Sequence, residues 1–176
     1  MKQMKRIEKK IGNCTFYLKP FPAFTAANIS GDLSALLLPM LGALVPAFAA
    51  AMQKNGTKNF MDVNIEDFSM ESAVPALSKV MSGMTGAQVE RFMKKLLIEH
   101  ENISVECAEE DIGVQILDMD TANEIFCGNL QDMYILCYEV IKLNFSGFFK
   151  NLGTQFGDQI LAQTKEPSTE NTENLM

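Results

Sequence analysis

Residues 33–52 read LSALLLPMLGALVPAFAAAM, twenty positions with no charge and with Ser34 as the one clearly polar side chain. Formed into one straight helix, this run would make the chain a membrane protein, since about 18 or more apolar residues reach across a bilayer. Three features weigh against a span. Pro39 and Pro46 each remove a backbone donor, Gly42 lies between them, and the flanks carry no Trp or Tyr to anchor at a membrane surface. The expected state is a pair of kinked helices in a protein core, or an apolar surface that a partner covers. Membrane insertion is the alternative.

The chain upstream reads as strand. Two short runs, one ending at Ile11 and one beginning at Cys14, flank the turn pair Gly12-Asn13, and Thr15-Phe16-Tyr17-Leu18 has strong strand character. Pro20 and Pro22 stop the second strand because neither can donate to a ladder. Downstream, Lys54–Lys58 with Asn55-Gly56 is a loop. A helix is expected over about 70–81, with Val74, Leu77, Val80 and Met81 on one face. Thr85-Gly-Ala-Gln88 has capping-box spacing and opens a second helix to about Glu99, its apolar face made by Val89, Phe92, Met93, Leu96 and Leu97. Glu90 and Lys94 can pair on its outer side.

Ile103–Cys107 and Gly113–Leu117 read as a second hairpin around the acidic turn Glu109-Glu110-Asp111. Asp120-Thr121-Ala-Asn-Glu124 resembles another capped helix start. The strongest helix runs from Leu130 to about Asn144, with Met133, Leu136, Cys137, Val140 and Ile141 on one face. Phe145, Phe148 and Phe149 follow at spacings of three and four. After Thr164 the chain is polar, a disordered composition. The fold class is therefore α+β: a predominantly α-helical single domain with short N-terminal and central β-hairpins. Residues 1–22 form the N-terminal hairpin, 23–163 a helical body containing the central hairpin, and 164–176 a disordered tail. Whether the hairpins join one sheet is open at this level.

Net charge is −7, which gives no general attraction to nucleic acid or to an anionic membrane. The average hides a gradient. Met1–Pro20 carries Lys2, Lys5, Arg6, Lys9, Lys10 and Lys19 against Glu8 alone, whereas no Lys or Arg occurs between Lys95 and Lys142. That span holds eleven acidic residues, from Glu99 to Glu139. The two regions are either separately solvated or attract each other, within a subunit or between subunits.

Chemistry is sparse. Four cysteines, Cys14, Cys107, Cys127 and Cys137, stand far apart, and His100 is the one histidine, so a zinc site is not expected and free buried thiols are. Asp118-Met-Asp120 begins like a calcium loop, but Asn123 and Asn129 occupy the positions that need Gly and Glu. No phosphate-binding glycine loop or nucleophile elbow occurs. No apolar h-region follows the basic N-terminus, so no cleaved signal peptide is expected. Neither an enzyme, a cofactor nor a metal is expected. Binding surfaces remain, and the twelve methionines supply side chains that repack against varied apolar partners.

The order of several segments resembles a family. Phe16-Tyr-Leu-Lys-Pro-Phe-Pro-Ala-Phe24 precedes Leu33-Ser-Ala-Leu-Leu-Leu-Pro39. Far downstream come Asn123-Glu-Ile-Phe-Cys-Gly-Asn-Leu-Gln-Asp-Met133 and Glu139-Val-Ile-Lys-Leu-Asn-Phe-Ser-Gly-Phe-Phe149. This is similar to the tail assembly chaperones of long-tailed phages and prophages of Gram-positive bacteria, over about Thr15–Gly153. The resemblance implies a protein that binds the tape measure protein in the host cytoplasm, keeps it soluble until the tail tube polymerises, and is absent from the mature virion. It also implies a frameshifted longer form that recruits the tail tube protein. An apolar helical client suits a groove with anchors at i, i+3, i+4 and i+7. Leu37, Met40, Leu41, Leu44 and Phe48 have those spacings, and with Phe145, Phe148 and Phe149 they are the expected partner-binding residues. Self-association is expected when the client is absent. A structural tail component is a further alternative, one that calls for more sheet.

Overall fold

A computed structural model of the chain describes residues 6–37, 50, 52–54, 56, 69–108 and 112–145. Strand β1 (Ile7–Ile11) turns through Gly12-Asn13 into β2 (Cys14–Leu18). Gly12 has φ +58°, the sign that a two-residue II′ turn takes at its first position. A Cβ there would also meet Asp132 Oδ2 at 2.6 Å, so that carboxylate would have to move aside. The second hairpin, β3 (Ile103–Cys107) and β4 (Ile112–Ile116), adds beside the first. β2 pairs antiparallel with β3, from Cys14 opposite Cys107 to Leu18 opposite Ile103. The two hairpins therefore make one sheet, ordered β1-β2-β3-β4.

Alternation in β2 and β3 decides which face is inside. Cys14, Phe16, Leu18, Ile103, Val105 and Cys107 are buried, and the residues between them are half-exposed. Helices cover the buried face: α1 (Ala23–Leu37), α2 (Met70–Ser82), α3 (Gly86–Leu97), α4 (Met119–Ile125) and α5 (130–145). Helices on one side of an antiparallel sheet make this an α+β single domain around one core. Phe16 stacks on Phe126 at 5.9 Å between ring centres, tying β2 to the turn after α4. Leu136, Cys137, Val140 and Ile141 of α5 are buried in the same cluster.

Polar contacts fix the ends. Lys9 of β1 reaches Glu139 of α5 at 2.9 Å, and the Glu139 side chain is almost fully buried. The basic N-terminal and acidic regions thus meet at least once within the subunit. Removing the Lys9 amine would strand a buried carboxylate, a cost of about 2 kcal/mol. Lys95 of α3 pairs with Asp32 of α1. The Phe21 N–H donates to Asn144 Oδ1 at 2.7 Å, and Lys19 and Asn102 are joined by backbone and side-chain bonds.

Three readings change. The stretch between the second strand and the apolar run, unassigned from sequence, is helical: α1 starts at Ala23, with the Pro22 carbonyl accepting the Ala26 N–H at 2.9 Å, and takes in the first residues of that run. Leu33 enters the core as part of that longer helix. Cys14 and Cys107 are not free thiols. They face each other across β2 and β3 with Cα atoms 4.3 Å apart and form a disulfide, while Cys127 and Cys137 stay free. The cap of α4 is Asp118, two residues ahead of the expected start, and its carboxylate accepts the Thr121 N–H at 2.8 Å.

Candidate functional site

The amphipathic spacing of α3 sends Phe92 and Leu96 into the core and lays Val89, Met93 and Leu97 in a line one turn apart along its flank. The expected capping box sets where that line begins. The Gln88 N–H donates to Thr85 Oγ1, and the Thr85 N–H donates to Gln88 Oε1 at 2.9 Å. Opposite, the Asp118 cap starts α4 so that Met119, Ala122 and Phe126 follow at spacings of three and four. The first turns of α5 bring in Met133, held by an Asn129 side chain that accepts the Asp132 N–H.

Between these three helices lies an apolar groove with a volume of ≈ 720 Å³. Met93, Met119 and Met133 enter it from α3, α4 and α5. Met119 is 37% exposed at the rim, and Met93 is buried at the base. The base is electrically quiet. Cys137 Sγ lies 3.1 Å from Met93 Sδ as a thiol–thioether contact, and burial raises the Cys137 pKa far above its ordinary value, so the thiol stays neutral. At the rim, Glu90 pairs with Lys94 at 2.5 Å, and that ammonium holds the Glu90 carboxyl below the usual range. A second groove, ≈ 590 Å³, lies on the other side of the α5 start, where Met70, Val74 and Pro75 of α2 face Leu130, Tyr134 and Ile135. Burial pushes the Tyr138 hydroxyl up to about 12.

An α-helix with side chains is about 10 Å across. Open troughs lined by thioethers and aliphatic carbons suit such a helix more than a small polar substrate. No group of metal-binding side chains is assembled among the described residues. His100 packs edge-on against Phe21, with ring centres 5.6 Å apart.

The expected site residues fall in different places. Phe145 is 4% exposed and packs in the core beside Phe21. Leu37 is the last residue of α1. Met40, Leu41, Leu44, Phe48, Phe148 and Phe149 lie outside the described residues, as does most of the apolar run. Among the described residues no helix is long and apolar enough to cross a membrane. The grooves were not legible as sites. The abundance of Met was their one signal, and only the packing of α3, α4 and α5 shows which methionines converge.

The one-sided α+β layer thus carries two apolar troughs that suit apolar side chains. The chain belongs to the family described as phage tail assembly chaperone protein, TAC, which it matches over residues 12–157. That span runs from the β1–β2 turn through the five helices described above, and it makes tail assembly the protein's role and tail proteins its partners. No curated protein and no solved structure matches the chain.

Proposed function

We propose that this chaperone binds the tape measure protein of its phage and keeps it soluble while the tail tube assembles around it. The reading rests on the family match, and the groove formed by Met93, Met119 and Met133 supplies a physical mode of binding. A tape measure is long, helical and apolar by the resemblance described above. Its exposed faces need a surface that accepts many different apolar side chains, and thioethers do that at low cost in specificity. Leu37, Met40, Leu41, Leu44 and Phe48, from the helical spacing of the apolar run in the sequence, are further candidate contacts, with Phe148 and Phe149. Phe145 contributes through the position it gives α5. The chaperone acts in the host cytoplasm and is released before the virion matures, and a longer frameshifted form brings in the tail tube protein.

The groove is tested with helical segments of the tape measure and the full chain. Met119→Asp places a charge at an exposed rim position and should weaken binding at least tenfold with the fold intact by circular dichroism. Unchanged binding in Met119→Asp would remove the groove from the account. Loss of binding in Leu41→Asp with Leu44→Asp assigns the contact to the apolar run instead.

A further inference from the structure

We propose that Cys14 and Cys107 form a reversible redox clamp, a two-electron thiol–disulfide switch that sets how firmly the first turns of α5 are held. It stands whether or not the tape measure is the client. The two cysteines are directly opposite in the β2–β3 pairing, both buried on the core face, with Cα atoms 4.3 Å apart. An ordinary non-hydrogen-bonded pair has about 4.5 Å, so the same backbone accepts either a disulfide or two thiols. Buried thiols behave as small apolar side chains, and the reduced form therefore leaves no strong polar group unpaired.

Position makes the pair a switch. Cys14 follows the Gly12-Asn13 turn and Cys107 ends β3, so the bond crosses the end rung of the ladder that joins the two hairpins. Pairing beside that rung is weakened, because the β3–β4 register is irregular between Val105 and Cys107. The bond also links residues 93 apart in sequence, a loop long enough for the crosslink to restrict the unfolded chain strongly.

The same end of β2 backs the connection from α4 to α5. Phe16 stacks on Phe126, and the Asp132 carboxylate faces Gly12. The oxygen that faces Gly12 also accepts from Asn129 Nδ2 at 2.6 Å, within the cap that starts α5. From this start α5 sends Met133 into one groove and Leu130 and Tyr134 into the other. Opening the bond loosens the turn end of the first hairpin, and with it the support under Asp132 and one wall of each groove.

The chemistry is thiol–disulfide exchange. A dithiol reductant attacks one sulfur of the bond, and its second thiol resolves the mixed disulfide. Two electrons and two protons end on Cys14 and Cys107, and the reductant leaves as a disulfide. A low-molecular-weight disulfide reverses the change and leaves as two thiols. Both protein sulfurs are buried, so exchange waits for the end rung to open. In reducing compartments disulfides are mostly transient or redox-sensing, which suits a clamp that opens.

The test compares the full chain equilibrated with a dithiol reductant or with a low-molecular-weight disulfide. In denaturant the oxidised form should show the two free thiols of Cys127 and Cys137, and the reduced form all four. Reduction should lower the thermal midpoint by about 10 °C with the circular dichroism spectrum unchanged. Cys14→Ala with Cys107→Ala should melt near the reduced wild type and ignore the reductant. If that variant does not fold, the two states of the wild type decide alone. Well below both midpoints, amide exchange over Gln131–Ile135 should be about tenfold faster in the reduced form, with Val140–Leu143 unchanged. Four thiols in the disulfide-treated protein overturn the proposal, as does a midpoint that reduction leaves in place. Exchange that rises equally along α5, or not at all, also overturns it, because the clamp would then not act on the start of the helix.

Discussion

The two hairpins are built from strands of equal length, yet they serve the protein differently. Each has one inner strand, β2 or β3, with the same alternation of buried and half-exposed residues, and these two pair to form the centre of the sheet. Each also has one outer strand. β1 is basic and ties itself to α5 through Lys9, whereas β4 is uncharged, apolar and open on its outer face. The inner strands are constrained by the core and leave little room for anything but folding. The outer strands are free to differ, and their difference is where a surface with a preferred partner can arise.

Substitutions along the sheet separate the two kinds of strand. Phe16 in β2 is fully buried and stacked on Phe126, so Phe16→Ala should cost about 3–5 kcal/mol in urea unfolding. An effect under about 1 kcal/mol would mean that the β2 face is not the centre of the core. Lys9→Ala in β1 should cost about 2 kcal/mol by stranding Glu139, and Lys9→Ala with Glu139→Gln should recover part of it. Beyond β4, Asp118 caps α4, and its carboxyl is held below the ordinary range chiefly by the Thr121 N–H. A depressed folded pKa contributes stability in full above the unfolded value and loses it as pH falls through the folded one. Asp118→Ala should therefore lower the thermal midpoint by a few degrees at neutral pH, with the gap to wild type closing below about pH 4. Ile116→Ser in β4 should change stability by less than about 0.5 kcal/mol. A large loss of stability there would make β4 a core strand after all.

Sequence patterns reach as far as local physics does. The Gly12-Asn13 turn, the Thr85–Gln88 capping box, the Glu90–Lys94 pair and the apolar face of α5 each follow from neighbours within a few residues, and each is present in the structure. Helix α1 is hidden because Pro20 and Pro22 mark a stop and its sequence, with Gly31 and scattered alanines, has no clear apolar stripe. The α4 cap is misplaced by two residues because Asp118 and Asp120 both precede a Thr and an acidic residue at plausible spacing. The Cys14–Cys107 bridge joins positions 93 residues apart, so it depends on the register between two hairpins, which no short window contains. The methionine groove is of the same kind. Met93, Met119 and Met133 belong to three helices and become one surface only when those helices pack.

The central claim is that this chain holds an apolar tail protein in solution, and co-expression with the tape measure of the same phage tests it most directly. The account predicts that the tape measure becomes soluble and co-purifies with the wild type, and that Met119→Asp lowers the soluble yield without lowering its own. A tape measure that stays insoluble beside a soluble, folded wild-type chaperone would contradict it.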